Sequence, residues 1–297
     1  MATPGLLLVD KPAGMTSHDV VSKVRKLAGT KKVGHAGTLD PMATGLLVLG
    51  IESATKLLTF IVGADKTYEA TIRLGASTIT DDREGEILNE ATATRISQVA
   101  DEQIVAELSK LRGVIQQVPS AVSAIKVNGE KAYDRVRAGE VFELKSREVT
   151  ISKLELVGNL RRSENFIDLD VIVDCSSGTY IRAIARDIGN ALGIGGHLTE
   201  LRRTRIGSFA VENAMTLEGF EGKLAILKSA DAARGILPAM EIDAEQTLFI
   251  RQGKKISGEI TGNTALIFAN TLVAIAEPAG PASIKSVVVF NDEDLNV

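Results

Sequence analysis

Apolar and polar positions alternate along two stretches of the chain, and the period of two predicts strands. Between Lys66 and Gly75 the alternation is strict, which is typical of a strand with one buried face. The stretch from Phe166 to Cys175 shows the same period and predicts a second strand of this kind. A short apolar run at 6–9 predicts a strand near the start of the chain.

Apolar residues three and four positions apart predict helices in three other stretches. The first begins at Ser17, which can cap it, and ends at Gly29. The second runs from about Ser97 to Arg112, after a polar and acidic stretch at 77–94 that predicts a loop or a small insertion. The third begins near Ile181, directly after a predicted strand.

Beyond Pro238 the pattern changes to short β-rich runs separated by glycine, asparagine and proline. The runs are Leu248–Ile250, Ala265–Ala269, Leu272–Ala276 and Ser286–Phe290. This predicts a separate all-β module of roughly 60 residues. We therefore expect one domain at 1–236 and a second domain at 237–297.

Composition indicates an ordinary globular protein, since 44% of the 297 residues are hydrophobic. The single cysteine, Cys175, excludes an internal disulfide, and no clustered His and Cys pattern suits zinc. The chain starts without a basic leader, and charges interrupt its most apolar region, 46–62. We expect a cytoplasmic protein that binds no metal and does not enter the membrane.

The net charge of −4 argues mildly against a nucleic-acid partner. The cations are nevertheless clustered, at Lys31–Lys32, Arg161–Arg162, Arg202–Arg205 and Lys254–Lys255. A solvated surface is the simpler explanation for any one of these clusters. Four clusters near candidate motifs keep nucleic-acid binding open.

The most distinctive stretch is GHAGTLDPMATGLLVLG, from Gly34 to Gly50, with Asp40 at its centre. Its four glycines permit close approach of a ligand, and Pro41 fixes the turn that follows Asp40. An isolated Asp-Pro pair is more often a simple turn. A carboxylate on a rigid loop, kept ionised by an arginine, can however attack an electrophilic carbon.

Five motifs resemble those of the TruB family of tRNA pseudouridine synthases. They are KPAGMTSHDVV, VGHAGTLDPMATGLLVLGIESATK, ADKTYEATIRLG, DCSSGTYIRAIARDIG and HLTELRRTRIG, in this order, within residues 5–210. The resemblance implies the pseudouridine synthase fold, an α+β fold with a mixed, largely antiparallel sheet and flanking helices. The C-terminal module is similar in position and size to the PUA-like RNA-binding module of this family.

The same resemblance implies isomerisation of the T-loop uridine of tRNA, position 55, to pseudouridine. The C1′–N1 bond is cleaved, the base rotates, and a C1′–C5 bond forms. The reaction needs no cofactor and no metal. The implied partner is the T arm of tRNA. We expect a monomer, and the sequence shows no evident protein partner.

The resemblance also implies the catalytic residues. Asp40 matches the catalytic aspartate, and Arg182 matches the arginine that pairs with it. Three first steps are open to such a carboxylate: attack on C1′, attack on C6, or abstraction of a ribose proton. Tyr68 matches the tyrosine that packs against the target base, whereas its strand pattern alone predicts a core tyrosine; both place the ring inward.

Further residues are implied to bind the substrate. Tyr180 and Leu201 match pocket residues, with Leu201 as a lid over the base, and His35 matches the histidine that fills the space left by a flipped nucleotide. The implied RNA contacts are Lys11, Lys31, Arg202 and Arg203. Lys11 can alternatively brace the pocket wall.

Three other functions are compatible with the sequence. A non-catalytic RNA-binding or tRNA-folding protein could use the same scaffold. A guided pseudouridylase acting on other RNA usually carries longer basic extensions, which are absent here. A hydrolase using His35 and Asp40 is the most distant alternative, because no nucleophilic serine elbow accompanies them.

Overall fold

The computed structural model describes residues 2–120, 126–127, 130–131, 144–220 and 224–291. The chain divides into two compact units. Unit 1 comprises Met1–Pro41, Gly45–Gly63 and Ile206–Val297, and unit 2 comprises Met42–Thr44 and Ala64–Arg205. No helix in the described ranges has the length and apolar character that crossing a membrane requires.

The strands are β1 (Gly5–Lys11), β2 (Val33–His35), β3 (Thr44–Ile51), β4 (Lys66–Leu74), β5 (Ala76–Thr78), β6 (Ile87–Glu90), β7 (Gly113–Gln117), β8 (Lys126–Val127), β9 (Glu130–Lys131), β10 (Arg147–Arg162), β11 (Ile167–Cys175), β12 (Gly196–Ile206), β13 (Phe209–Ala210), β14 (Met215–Thr216), β15 (Ala239–Glu241), β16 (Ile256–Ser257), β17 (Thr264–Phe268), β18 (Thr271–Pro278) and β19 (Ser283–Val289). The helices are α1 (Ser17–Ala28), α2 (Leu58–Val62), α3 (Ala93–Ser97), α4 (Asp101–Lys110), α5 (Ile181–Ala191), α6 (Ser229–Ile236) and α7 (Ala244–Arg251).

In unit 1, β1 lies between β3 and β14, and β2 pairs with β3. The β1–β3 pair is antiparallel with Leu7 opposite Leu49, whereas β1 and β14 run parallel. Helix α1 buries Val20, Val21 and Val24 in the same core. This core fixes the positions from which the Asp40 loop departs.

Helix α1 ends at Gly29 as predicted, but its cap is different. Thr16 is the N-cap, and Thr16 and Asp19 form a reciprocal capping box. Gly29 follows the helix in the left-handed conformation (φ 67°) that glycine adopts without strain. The prediction that Ser17 caps the helix is therefore wrong, and its hydroxyl serves another purpose.

The C-terminal part of unit 1 contains a separate five-stranded sheet in the order β15-β17-β18-β19-β16. Ile250, Ile256, Val273 and Ile284 contribute to its buried core. This confirms the predicted C-terminal β module. The run 248–250 is helical instead of β, because Asp243 and Gln246 form a capping box that starts α7. The boundary of the C-terminal module near residues 236–237 stays a prediction.

In unit 2, five strands lie in the order β12-β4-β11-β10-β7. Strands β4, β11, β10 and β7 are antiparallel neighbours, with Tyr68 opposite Val173. Helix α5 packs against β4 and buries Ile184 and Ile188. Both strands predicted from the period of two are confirmed, and so is the α+β class with a largely antiparallel sheet.

The stretch between β4 and β7 is more structured than the sequence predicts. It contains the antiparallel pair β5–β6 within the predicted loop. The helix predicted from about Ser97 to Arg112 is α4, which begins later, at Asp101, and ends at Lys110. A short helix, α3, precedes it and begins within the predicted loop. Gln103 accepts a hydrogen bond from the Ala100 amide (2.8 Å), which fixes the start of α4.

Candidate active site

In unit 1, the loop that carries Asp40 is held on both sides of that residue. On one side, the Ser17 hydroxyl donates to the Leu39 carbonyl (3.0 Å) and accepts from the Leu39 amide (2.8 Å). On the other side, the Pro41 carbonyl accepts from the Gly14 amide (2.8 Å). Asp40 itself is half-buried. The backbone on both sides of Asp40 is therefore held in place.

Lys11 also braces this loop. Its ammonium donates to the carbonyls of Pro12 (2.8 Å), Met15 (2.6 Å) and Pro41 (3.2 Å), and the residue is fully buried. A buried ammonium needs such acceptors, because an unpaired one would be costly. The geometry favours the bracing role of Lys11 over direct contact with RNA.

His35 and Lys31 differ in exposure although both lie close to the Asp40 loop in sequence. His35 ends β2 opposite Leu49 and is half-buried, whereas Lys31 is exposed in the turn before β2. Thr30 stabilises this turn, because its hydroxyl accepts from the Lys32 amide (3.1 Å). Lys31 is therefore available to an anionic ligand.

In unit 2, Tyr68 lies on the buried face of β4 with 8% of its surface exposed. Lys66 precedes it on the same face and donates to the Ala64 carbonyl (2.6 Å). Burial lowers the pKa of Lys66 to about 8, and the nearby Arg203 cation contributes to that shift. Opposite Lys66, burial raises the pKa of the Cys175 thiol to about 11.

Arg182 lies in the first turn of α5 and is almost completely buried. Its Nη1 atom donates to the Thr80 carbonyl (2.7 Å) and lies 3.4 Å from Oδ2 of Asp82. The Asp82 side chain is 4% exposed. Separating a buried ion pair is costly, because it leaves a buried charge without compensation. Asp82 therefore holds the Arg182 guanidinium in position.

Tyr180 directly precedes α5, and Gln117 clamps its backbone. The Gln117 amide donates to the Tyr180 carbonyl (3.1 Å) and its oxygen accepts from the Tyr180 amide (2.8 Å). The Arg147 guanidinium lies 5.8 Å from the centre of the Tyr180 ring. Both interactions restrict the ring that is predicted to line the pocket.

The basic motif near residue 200 is the strand β12, so its residues alternate between faces. Leu201 and Arg203 are buried, with Arg203 only 1% exposed. Arg202 is half-buried, and its Nη1 atom lies 3.5 Å from the Thr44 hydroxyl. The two arginines therefore cannot present their side chains to the same surface.

The comparisons with known proteins identify the family. Residues 25–181 match the N-terminal domain of the TruB family pseudouridylate synthases. Residues 182–242 match the tRNA pseudouridylate synthase B C-terminal domain. The chain belongs to the TruB family.

Relatives match over nearly the whole length. The tRNA pseudouridine synthase B of Paenarthrobacter aurescens (strain TC1) is 53% identical over 279 residues, which cover 93% of this chain and 88% of that protein. The protein of the same name from Arthrobacter sp. (strain FB24) is 51% identical over 298 residues, covering 96% of each chain. This chain is thus a pseudouridine synthase, an isomerase, by family.

The fold is shared with a chain in the structure of an H/ACA RNP bound to a substrate RNA containing 2′-deoxyuridine. The TM-score is 0.71 at 24% sequence identity, covering 98% of this chain and 86% of that chain. At this identity the likeness concerns the fold alone. It confirms the predicted pseudouridine synthase fold.

The residues that the sequence predicts for the site are found in both units. Lys11, Lys31, His35 and Asp40 belong to unit 1, and unit 2 contains Tyr68, Tyr180, Arg182, Leu201, Arg202 and Arg203. Within the described ranges, no three residues among His, Cys, Asp and Glu are placed to hold a metal ion.

Three residues that support the site were missed in the sequence. Asp82 occurs in a stretch that the sequence predicts only as a polar loop, so nothing links it to Arg182. Gln117 ends an edge strand and carries no motif of its own. Ser17 was recognisable as a polar residue at a helix start, but its pairing with Leu39 depends on the tertiary fold.

Proposed function

We propose that this protein converts a uridine of tRNA to pseudouridine and that Asp40 is its catalytic carboxylate. Membership of the TruB family supports pseudouridine formation in tRNA. The observation that carries the assignment of Asp40 is the loop that holds this residue, fixed at Leu39 and at Pro41. Such fixation holds a catalytic group near its reactive geometry.

The reaction is an isomerisation, so no electrons are gained or lost overall. The C1′–N1 bond breaks, the base rotates while it remains in the site, and a C1′–C5 bond forms. The proton on C5 is lost and N1 gains one. A fixed carboxylate suits this chemistry, because it can assist bond cleavage at the sugar without a cofactor.

Tyr68 and Arg182 are proposed as the other catalytic residues. The ring of Tyr68 is buried on the inner face of β4, where a tyrosine can pack against a base. The Arg182 guanidinium is fixed by Thr80 and Asp82. We propose that this guanidinium acts in the same reaction as Asp40.

The proposed target is the T-loop uridine, position 55. A base must leave its stack to reach a recessed carboxylate, which costs a few kcal/mol. We propose that His35 fills the vacated space, that Tyr180 and Leu201 enclose the flipped base, and that Lys31 and Arg202 bind phosphates. Arg203 and Lys11 are buried, so their proposed role is to support these contacts.

The C-terminal sheet is proposed to assist tRNA binding as a PUA-like module. It presents Lys254 and Lys255 on an exposed turn after α7. We further propose that the protein acts as a monomer in the cytoplasm, without a guide RNA or protein partner.

Release of tritium from tRNA containing C5-tritiated uridine tests this function, because only rejoining through C5 frees that hydrogen. We expect release by the parent protein and a loss of at least about 10³-fold in Asp40→Asn. Glu69→Gln is the matched control, since it makes the same carboxylate-to-amide change on an exposed residue of β4.

Two outcomes would contradict the proposal. Normal release by Asp40→Asn would remove this residue from the mechanism. Absence of release by the parent protein, with tRNA still bound, would favour the RNA-binding or tRNA-folding function. Mapping of the product by reverse transcription after carbodiimide treatment then tests position 55.

A further inference from the structure

Two consecutive aspartates in unit 2 face two arginines on one helix. Nη1 of Arg182 lies 3.4 Å from Oδ2 of Asp82, and Nη1 of Arg186 lies 3.4 Å from Oδ2 of Asp81. Arg182 and Arg186 are one turn apart on α5 and therefore lie on the same side of the helix. The chain thus forms two parallel ion pairs between one loop and one helix.

The backbone of Asp81 makes this arrangement possible. Consecutive side chains of an extended strand point in opposite directions, so two adjacent aspartates would not both reach α5. Asp81 instead has φ 59°, a left-handed conformation that is uncommon for residues other than glycine. The Asp81 carbonyl accepts from the Leu198 amide (3.0 Å), and the Asp82 carbonyl accepts from the Thr78 hydroxyl (2.7 Å).

Arg186 joins the aspartate loop to two other segments. Its Nη2 atom donates to the Val118 carbonyl (2.7 Å), and its Nη1 atom donates to the Pro119 carbonyl (3.3 Å). Its Nε atom donates to Asp187 on the same helix (2.9 Å). One side chain therefore holds the aspartate loop, the segment after β7 and α5 in a fixed arrangement.

The Asp81–Arg186 pair is connected to the surroundings of Arg182 through the backbone. The two acceptors of Arg182 described above, the Thr80 carbonyl and the Asp82 carboxylate, flank Asp81 directly in the sequence. A displacement of Asp81 consequently moves both acceptors. The contacts of Arg186 described above do not include Arg182, so the effect of Arg186 on Arg182 is indirect.

We infer that Asp81 and Arg186 form a positioning clamp for Arg182. The inference rests on the proposed function, in which Arg182 acts in the isomerisation. The clamp holds Thr80 and Asp82 where they fix the Arg182 guanidinium, and it contributes no group to the reacting atoms. Loss of the clamp lowers the rate of the chemical step and leaves tRNA affinity unchanged.

Single-turnover tritium release at saturating protein tests the clamp with Asp81→Asn, Arg186→Gln and the double variant. Asparagine tolerates the left-handed backbone, so Asp81→Asn removes the charge and keeps the fold. We expect each variant to lower the saturating rate constant about 10- to 100-fold, the range that a small misplacement of a catalytic group costs. The dissociation constant for tRNA should stay within about twofold.

The double variant distinguishes a pair from two separate effects. Because both substitutions break the same contact, we expect the double variant to be no slower than the slower single variant. Arg186→Lys retains the charge without the fork of donors and should be intermediate. Asp170→Asn is the matched control, since it removes an exposed ion pair with Arg161 on the sheet of unit 2 and should keep the parent rate.

A merely structural role would give a different result. Partial unfolding raises the protein concentration needed for saturation but leaves the rate constant at saturation unchanged, which would overturn the clamp. Parent-like rates in Asp81→Asn and Arg186→Gln would overturn it as well, and so would multiplicative losses in the double variant. If Asp40→Asn is inactive in the same assay, such results refute the clamp and leave the proposed function standing.

Discussion

Arg202 and Arg203 are neighbours in the sequence, but the strand β12 directs them to opposite faces. Arg203 is 1% exposed, and Arg202 is half-buried. A phosphate can approach a half-buried guanidinium, whereas a fully buried guanidinium contacts only the interior of the protein. The Arg202–Arg203 pair therefore contains one candidate RNA contact and one structural residue, a distinction that only the strand period provides.

Separate substitution of the two arginines should separate binding from stability. We expect Arg202→Gln to weaken tRNA binding and to lower the slope of log Kd against log salt concentration by about 1. We expect Arg203→Gln to lower the free energy of unfolding by about 1–3 kcal/mol, because it removes a buried guanidinium that interacts with its surroundings. Filter binding over a salt series and urea unfolding measure the two effects. Identical behaviour of the variants would contradict the assignment.

Lys66 shows how burial sets the ionisation of a residue next to a catalytic candidate. It shares the buried face of β4 with Tyr68, and burial lowers its pKa from 10.5 to about 8. In the unfolded chain its pKa returns towards 10.5. Between these two values the unfolded chain binds more protons, so the free energy of unfolding rises with pH across this window.

Substitution of Lys66 by methionine should remove that contribution. We expect the free energy of unfolding of Lys66→Met to rise less with pH than that of the parent protein between about pH 8 and 9. The window stops there because the Cys175 thiol, with its pKa raised from 9.0 to about 11, contributes with the opposite sign at higher pH. Urea unfolding of both proteins across this window measures the difference. Parallel pH profiles would show that Lys66 does not titrate in this range.

Helix α1 and the Asp40 loop are joined through one hydroxyl. Thr16 and Ser17 are adjacent, and either can cap a helix by its residue type. Asp19 decides between them, because it lies at the position where it completes a capping box with Thr16. Ser17 is then free to bind both backbone groups of Leu39. The helix itself was predictable from the sequence, whereas the hydrogen bonds between Ser17 and Leu39 were not.

Substitution of these two hydroxyls gives a matched test of the loop. We expect Ser17→Ala to cost about 1–3 kcal/mol of stability, since it leaves the Leu39 amide and carbonyl unpaired, and to lower the saturating rate of isomerisation. Thr16→Ala should cost about 0.5–2 kcal/mol through loss of the cap and should keep the parent rate. Urea unfolding and single-turnover tritium release give the comparison. If Ser17→Ala and Thr16→Ala lost equal stability and had equal rates, fixing Leu39 would not matter for catalysis.

At the scale of the whole molecule, the sequence predicted classes of element better than tertiary contacts. Periodicity placed β4, β11 and α5, because each has one buried face with a regular period. The motifs placed Asp40, Tyr68 and Arg182 on elements of the expected type. The partners Asp82 and Gln117 carry no local signal, because they are defined by segments distant in sequence. Burial of Lys11 was likewise unpredictable from its residue type.

The overall charge makes local cations decisive for binding an RNA. A net charge of −4 provides no general attraction to phosphates, so affinity must come from patches within about a Debye length. In the C-terminal sheet, Lys254 and Lys255 are exposed after α7, and Lys254 lies 5.4 Å from the centre of the Phe249 ring. Other cations there are already paired, as Lys285 is with Glu277 (3.0 Å).

Neutralisation of the exposed pair should therefore weaken binding without altering chemistry. We expect Lys254→Gln with Lys255→Gln to lower the slope of log Kd against log salt concentration by about 2, because two phosphate contacts are lost. The rate constant at saturating protein should equal that of the parent. Lys285→Gln with Arg234→Gln is the control, since both cations have carboxylate partners and should change the slope little. An unchanged slope in the Lys254→Gln, Lys255→Gln variant would exclude this turn from the tRNA-binding surface. A lowered rate constant in that variant would mean that the C-terminal module acts on catalysis rather than on docking.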